Sequence, residues 1–284
     1  MAGMDSPLII PLLYILLMQN MNIAIGLNNN MAYIVPPSLC QTEDLGSENL
    51  RRLAKQLQFY KPPKPIDEVE ENIEHGINDV PSSVKMRERR AAVLICLFED
   101  PEDELRVILT RRSMNLASHP GDVALPGGKM EEGDEDESAT ALREAMEEIG
   151  LDSSLVQVVA QLEFFLSQHL LTVVPVIGLV SRIEDFKPLL NADEVDAIFD
   201  VPLEMFLKKE NHRFEDREWR GWKYVVHHFD FESEQGEFLI WGLTASILIR
   251  AASVIYQQSP FFQAHLPDFQ TLQRALHSVD SNVA

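Results

Sequence analysis

Basic residues are scarce. The 284 residues include 24 Lys and Arg against 45 Asp and Glu, a formal net charge of -21. Sequence-independent binding to a phosphate backbone takes rows of cationic side chains, so no nucleic acid is expected as a partner. Cysteine is nearly missing: Cys40 and Cys96 alone support neither a disulfide framework nor a thiolate metal site. A reducing compartment follows, with the cytoplasm expected and a mitochondrion or chloroplast as the alternative. No Lys or Arg precedes Arg51, although residues 7–27 are almost all apolar. That stretch therefore lacks the basic region of a secretory signal and the arginines of a transit peptide. Residues 1–42 are expected to be unstructured or a targeting segment, with any membrane association confined to residues 8–27. The remaining composition, 45% hydrophobic and 24% charged, is that of a folded domain rather than a disordered or fibrous chain.

Residues 47–61 carry Leu50, Leu53, Ala54 and Leu57 at helical spacing and stop before Pro62, Pro63 and Pro65. This short helix and the acidic, proline-containing stretch after it make up an expected segment 43–88. A main domain is expected over 89–257, with a tail over 258–284. Within the domain, apolar runs at 91–98 and 105–111 predict a hairpin leading into Pro126-Gly127-Gly128. Further strands are expected at 156–166, 173–180, 195–201 and 223–231, and helices at 203–208 and 241–256. Strands interleaved with few helices, without regular βαβ units, predict an α/β (α+β) fold with a mixed sheet.

The richest stretch runs from Gly127 to Leu151. Leu142, Ala145 and Ile149 give a helix a buried face, and Gly150 suits its left-handed C-cap. Glu144, Glu147 and Glu148 fall on another face, three and four residues apart, where their repulsion is costly unless a cation neutralises them. In so acidic a chain a Glu-rich face is often simply solvated. If an ion is held, oxygen-only ligands without clustered His or Cys favour Mg²⁺ or Mn²⁺ over Zn²⁺.

The surroundings of these carboxylates are distinctive. Gly127-Gly128 before the helix, with Arg143-Glu144-x-x-Glu147-Glu148-x-Gly150 within it, resembles the signature of the Nudix hydrolases. Gly128 to Arg143 is one residue longer than the usual family spacing, leaving Asp134 or Glu135 to fill the acidic place in the loop. This expansion, with Ile108-Leu109-Thr110-x-Arg112-Ser113, Gly121 and Pro126-Gly127-Gly128, resembles the coenzyme A diphosphatase branch, and 165–171 is similar to its plant members. The similarity covers about 89–256. Two positions depart from the branch: Ala117 stands where a further Arg is usual, and Leu125 where Phe is usual.

The resemblance implies a Nudix-type α/β/α sandwich with a loop-helix-loop metal site. It also implies metal-dependent hydrolysis of coenzyme A or acyl-CoA to 3′,5′-ADP and (acyl-)4′-phosphopantetheine. Hydrolysis of NADH, ADP-ribose or oxidised nucleotides is the alternative, and a catalytically silent nucleotide-binding module is the alternative of another class. Glu144, Glu148 and Glu147 become metal ligands, with Glu147 also a candidate for orienting water. Arg143 holds the carboxylates, Asp134 or Glu135 partners it, and Arg112, Gly127 and Gly128 face the substrate. Homo-oligomerisation stays open. His119 and His169 have no acidic orienter visible in sequence, Arg111 reads as an exposed strand-end residue, and Trp241 caps the core or stacks on adenine.

Overall fold

The computed structural model describes residues 24–28, 31–35, 45–62, 90–167, 171–219 and 222–264. Most of the N-terminal apolar run, the acidic stretch 67–79, His169 and the tail beyond 264 lie outside the described residues. Among those described, no helix is long and apolar enough to cross a membrane. The chain divides into two compact units between Lys55 and Gln56, inside helix α1 (Glu48–Leu57). In the first unit β1 (Ala24–Asn28) and β2 (Met31–Val35) pair antiparallel, with Gly26 opposite Tyr33.

The second unit is built on β3 (Arg90–Glu99), β4 (Leu105–Arg112), β5 (Val123–Ala124), β6 (Gly127–Lys129), β7 (Val156–Gln161), β8 (Phe165–Leu166), β9 (Thr172–Val180) and β10 (Val195–Pro202). They form one mixed sheet in the order β10-β4-β3-β9-β7, with short β5, β6 and β8 pairing alongside β4, β3 and β9. The β3–β9 pair is parallel and every other pair is antiparallel. Successive residues of a strand point to opposite faces, and β3 is apolar on both. Ala92, Leu94 and Cys96 face helix α2 (Glu137–Ile149), while Ile95 and Leu97 on the reverse face are equally buried. A strand buried on both faces reads as a continuous apolar run, and that is how 91–98 reads. Burial also pushes the Cys96 thiol up to about 12, leaving it an unreactive core residue.

A second antiparallel sheet, β11 (His212–Trp219), β12 (Trp222–Ser233) and β13 (Gly236–Trp241), leads into α3 (Gly242–Tyr256). Thr244 Oγ1 donates to the Val123 carbonyl at 3.1 Å, fixing the start of α3 beside β5. Gln56 donates to the carbonyls of Val254 and Ile255 at the other end.

The mixed-sheet fold is the one expected, with differences in detail. The expected strand 156–166 is two strands, because residues 162–164 leave the ladder between β7 and β8. The expected helix 203–208 is a single 3₁₀ stretch, Leu203–Leu207. Trp241 ends a strand and caps α3 from an extended conformation rather than opening the helix itself.

Candidate active site

The site is assembled where the β5–β6 turn meets α2. Asp136 caps α2 by accepting from the Ala139 N–H at 2.8 Å, and Gly150, at φ 71°, closes it with its N–H on the Ala145 and Met146 carbonyls. Ala141, Ala145 and Ile149 are fully buried against the sheet, which fixes the rotation of the helix and turns the Glu face toward Gly127 and Gly128. Both glycines are required by close approach. A Cβ on Gly127 would lie 2.3 Å from the Ala92 carbonyl oxygen, and one on Gly128 would lie 2.3 Å from Glu144 Oε1.

Arg143 organises the carboxylates. Its Nε and Nη2 donate to Asp134 Oδ1 and Oδ2 at 3.0 and 3.1 Å, Nη1 to Glu147 Oε2 at 2.9 Å, and Nη2 also to Glu144 Oε1 and the Lys129 carbonyl, both at 3.1 Å. Asp134 is buried and further accepts from Thr140 Oγ1 and the Glu131 N–H, each at 2.9 Å. The Arg143 fork, opposed by burial and helped by these donors, holds the Asp134 carboxyl down at about 2. Of the two candidates for the acidic place in the loop, then, Asp134 meets Arg143, and Glu135 is exposed.

Glu148 is only 4% exposed and accepts from the Gly127 N–H at 3.2 Å. Burial, reinforced by the charges of Glu144 and Glu194 and opposed by the Gly127 N–H and Arg112, pushes its carboxyl up to about 7. Glu144 is raised as well, again first by burial, then by Glu147 and Glu194 against the pull of Arg143. Buried, mutually repelling carboxylates beside a backbone cradle open only to glycine make an all-oxygen donor set suited to a hard divalent cation. Among the described residues no three acidic or imidazole side chains already converge as an ion cage. Arg143 draws Glu144 and Glu147 to itself, and Glu147 lies more than half exposed.

Arg112 sits at the end of β4, on the side of the sheet that faces α2, close enough to Glu148 to lower its carboxyl. Its Nε is buried with no hydrogen-bond partner, a guanidinium donor left open beside the carboxylates. Arg111 points the other way and lies over the Phe238 ring at 5.7 Å. The intervening loop closes through Arg112 N–H to the Asp122 carbonyl at 2.9 Å and Gly121 N–H to the Arg112 carbonyl at 3.1 Å.

Two features escaped the sequence. Glu194 reaches the site because the Leu189 and Asn191 N–H groups dock on the Ile149 and Glu148 carbonyls at the end of α2, a tertiary contact with no sequence motif. His119 does have an acidic orienter: its Nδ1 lies 3.0 Å from Asp122 Oδ2, while Trp241 Nε1 donates to Asp122 Oδ1 at 3.3 Å. The His-x-x-Asp spacing was the available signal.

The cradle predicts one result directly. Gly128→Ala should leave the unfolding midpoint within a few degrees of wild type, because the clashing atom is a side-chain end. Turnover should fall at least about tenfold, because Arg143 leaves Glu144 little freedom to move away. Unaltered turnover would show that Glu144 need not stand against Gly128.

Known proteins place this arrangement. A NUDIX domain model matches residues 88–223. The chain is 51% identical over 240 residues to Nudix hydrolase 22, chloroplastic, of Arabidopsis thaliana, covering 80% of each chain. It is 58% identical over 186 residues to Nudix hydrolase 15, mitochondrial, of the same plant, covering 66% of this chain and 65% of that one. Against the peroxisomal coenzyme A diphosphatase NUDT7 of Mus musculus it is 37% identical over 162 residues, 56% of this chain and 68% of the relative. Enzymes of this family use divalent metal cations to act on nucleoside diphosphate-linked substrates. An identity of one half sustained over four-fifths of both chains is decisive, and this chain belongs to the Nudix hydrolases.

Proposed function

We propose that this hydrolase cleaves the diphosphate bond of coenzyme A and acyl-CoA esters, giving 3′,5′-ADP and (acyl-)4′-phosphopantetheine, with Mg²⁺ or Mn²⁺ as its metal. The observation that carries the reading is Arg112. The residue lies in the stretch similar to the coenzyme A motif and presents an unpartnered buried Nε beside Glu148, where an anionic phosphate completes its hydrogen bonding. The mouse coenzyme A diphosphatase supports the same substrate class.

In this reading Glu144 and Glu148 would hold the metal, with the Gly128 backbone alongside, and the Gly127-Gly128 turn, packed against Ala92 and Glu144, would line the diphosphate. When bound, a divalent cation would supply charge neutralisation for the diphosphate and activation of water. Arg143 is a positioning residue that fixes Glu144 and Glu147. The carboxylate that orients the attacking water is Glu147 or Glu194, both of whose charges act on Glu144. The chloroplastic and mitochondrial plant relatives favour an organelle over the cytoplasm.

Ala117, in place of a second arginine, supports the competing reading of NADH, ADP-ribose or oxidised nucleotides as substrates. Steady-state assays with all of these, coenzyme A and dephospho-coenzyme A separate the two. Coenzyme A is expected to have the highest kcat/KM. Arg112→Ala is expected to lower kcat/KM for coenzyme A by about tenfold to a hundredfold, the range for a lost charge-assisted contact. Its effect on dephospho-coenzyme A should be smaller. Equal losses on both substrates would remove Arg112 from the 3′-phosphate, and faster turnover of NADH or ADP-ribose would replace the substrate proposed.

A further inference from the structure

β11 is an edge strand of unusual exposure. In the order β11-β12-β13 it has a neighbour on one side only, and every residue from Arg213 to Glu218 is exposed, so among the described residues neither face nor its outer edge is covered. Such an edge templates further pairing unless it is blunted by proline, a bulge or charged side chains. The charges here are of both signs, Arg213 and Arg217 beside Glu215, Asp216 and Glu218, so a partner strand can set opposite charges against them. β11 has no proline, and its register with β12 runs without a shift from His212 opposite Phe229 to Trp219 opposite Trp222.

The ladder also shows which main-chain groups are free. Asn211 lies one step before His212 opposite Phe229, and its carbonyl accepts from the Asp230 N–H at 2.9 Å, so Asn211 is a hydrogen-bonded position. Antiparallel ladders alternate, so Arg213, Glu215 and Arg217 bond inward to β12, while Phe214, Asp216 and Glu218 turn their N–H and C=O groups outward. The His212 N–H is taken by the Lys209 carbonyl, leaving its C=O.

We propose that this edge pairs with the same edge of a second copy of the chain, antiparallel about a two-fold axis at Phe214. In that register Phe214 exchanges both main-chain bonds with its counterpart, and each Asp216 N–H reaches the opposite His212 carbonyl. Arg213 of each copy stands directly across from Glu215 of the other, His212 across from Asp216, and the two Phe214 rings, 57% exposed in the single chain, cover one another. Sliding the copies by one step in either direction sets Arg213 against Arg213, or Glu215 against Glu215 and Arg213 against Arg217. Charge thus selects one register. The result is a continuous six-stranded antiparallel sheet across the two-fold, an isologous contact of the kind that closes dimers.

Sedimentation velocity of the full chain over about 1–100 μM tests this. Wild type is expected to dimerise in that range. Phe214→Pro, which deletes an outward N–H that β12 does not use, should be monomeric with an unchanged coenzyme A hydrolysis rate. In the proposed register the Arg213→Glu chain sets its new acid against Glu215 of its copy and the Glu215→Arg chain sets its new base against Arg213 of its copy, so each alone should dimerise at least about tenfold more weakly than wild type. An equimolar mixture of the two should restore the dimer. Circular dichroism of each variant confirms folding. A wild type monomeric throughout, a Phe214→Pro protein as dimeric as wild type, or a mixture no more associated than its components would each overturn the proposal.

Discussion

Glu148→Gln should lower kcat by about two to four orders of magnitude at saturating Mg²⁺, the loss expected when one electrostatic catalytic element is deleted at constant size. The same substitution should stabilise the metal-free protein, and this pairing of effects distinguishes a functional site from a structural one. Glu148 is held at about 7, above its ordinary 4.5, chiefly by burial. A carboxyl raised in the folded state costs nothing where it is protonated in both states, below about pH 4.5, and its full penalty stands above about pH 7. Glutamine never pays that penalty and still accepts from the Gly127 N–H. Thermal unfolding without metal should therefore give the variant a higher midpoint at pH 8 and no advantage at pH 4. Wild-type turnover in the variant would remove Glu148 from the metal site.

Arg143→Ala should be damaging to fold and turnover alike. The guanidinium is the main partner of buried Asp134, and removing one member of such a pair strands the other charge, at a cost of about 2–4 kcal/mol. Because Arg143 also fixes Glu144 and Glu147, kcat should drop by about a hundredfold in the protein that remains folded. The stability effect has a pH signature. Asp134 is lowered from 3.8 to about 2, so its contribution is present above pH 3.8 and is lost as pH falls through 2. Wild type and variant should differ most near neutrality and converge toward pH 2 in urea unfolding experiments. A constant difference at all pH values would mean that Arg143 stabilises through packing rather than through Asp134.

The legible parts of this protein are those where local sequence and tertiary role coincide. The Leu142-Ala145-Ile149 spacing and Gly150 fix α2 and its end by themselves, and the Glu face follows from helical geometry. The loop before α2 was less legible. Asp134 and Glu135 are adjacent carboxylates, and it is the Arg143 fork, the Thr140 hydroxyl and the Glu131 N–H, brought round by the loop, that single out Asp134 for burial. Glu194 was illegible because its place depends on main-chain docking at the end of α2. β11 was missed for a different reason. Arg213 to Glu218 is exposed and dense in charge, so β11 lacks the hydrophobic alternation that marks a strand buried on one face, and its pairing with β12 makes it a strand.

The Glu144–Glu148 face is expected to bind a divalent cation. Titration of Mn²⁺ into the full chain, with the free ion followed by electron paramagnetic resonance, tests it without reference to any substrate. Wild type should bind saturably, with affinity weakened at least about tenfold by Glu148→Gln and by Glu144→Gln and unaffected by Glu135→Gln. Equal Mn²⁺ binding by wild type and the Glu148 and Glu144 variants would contradict it.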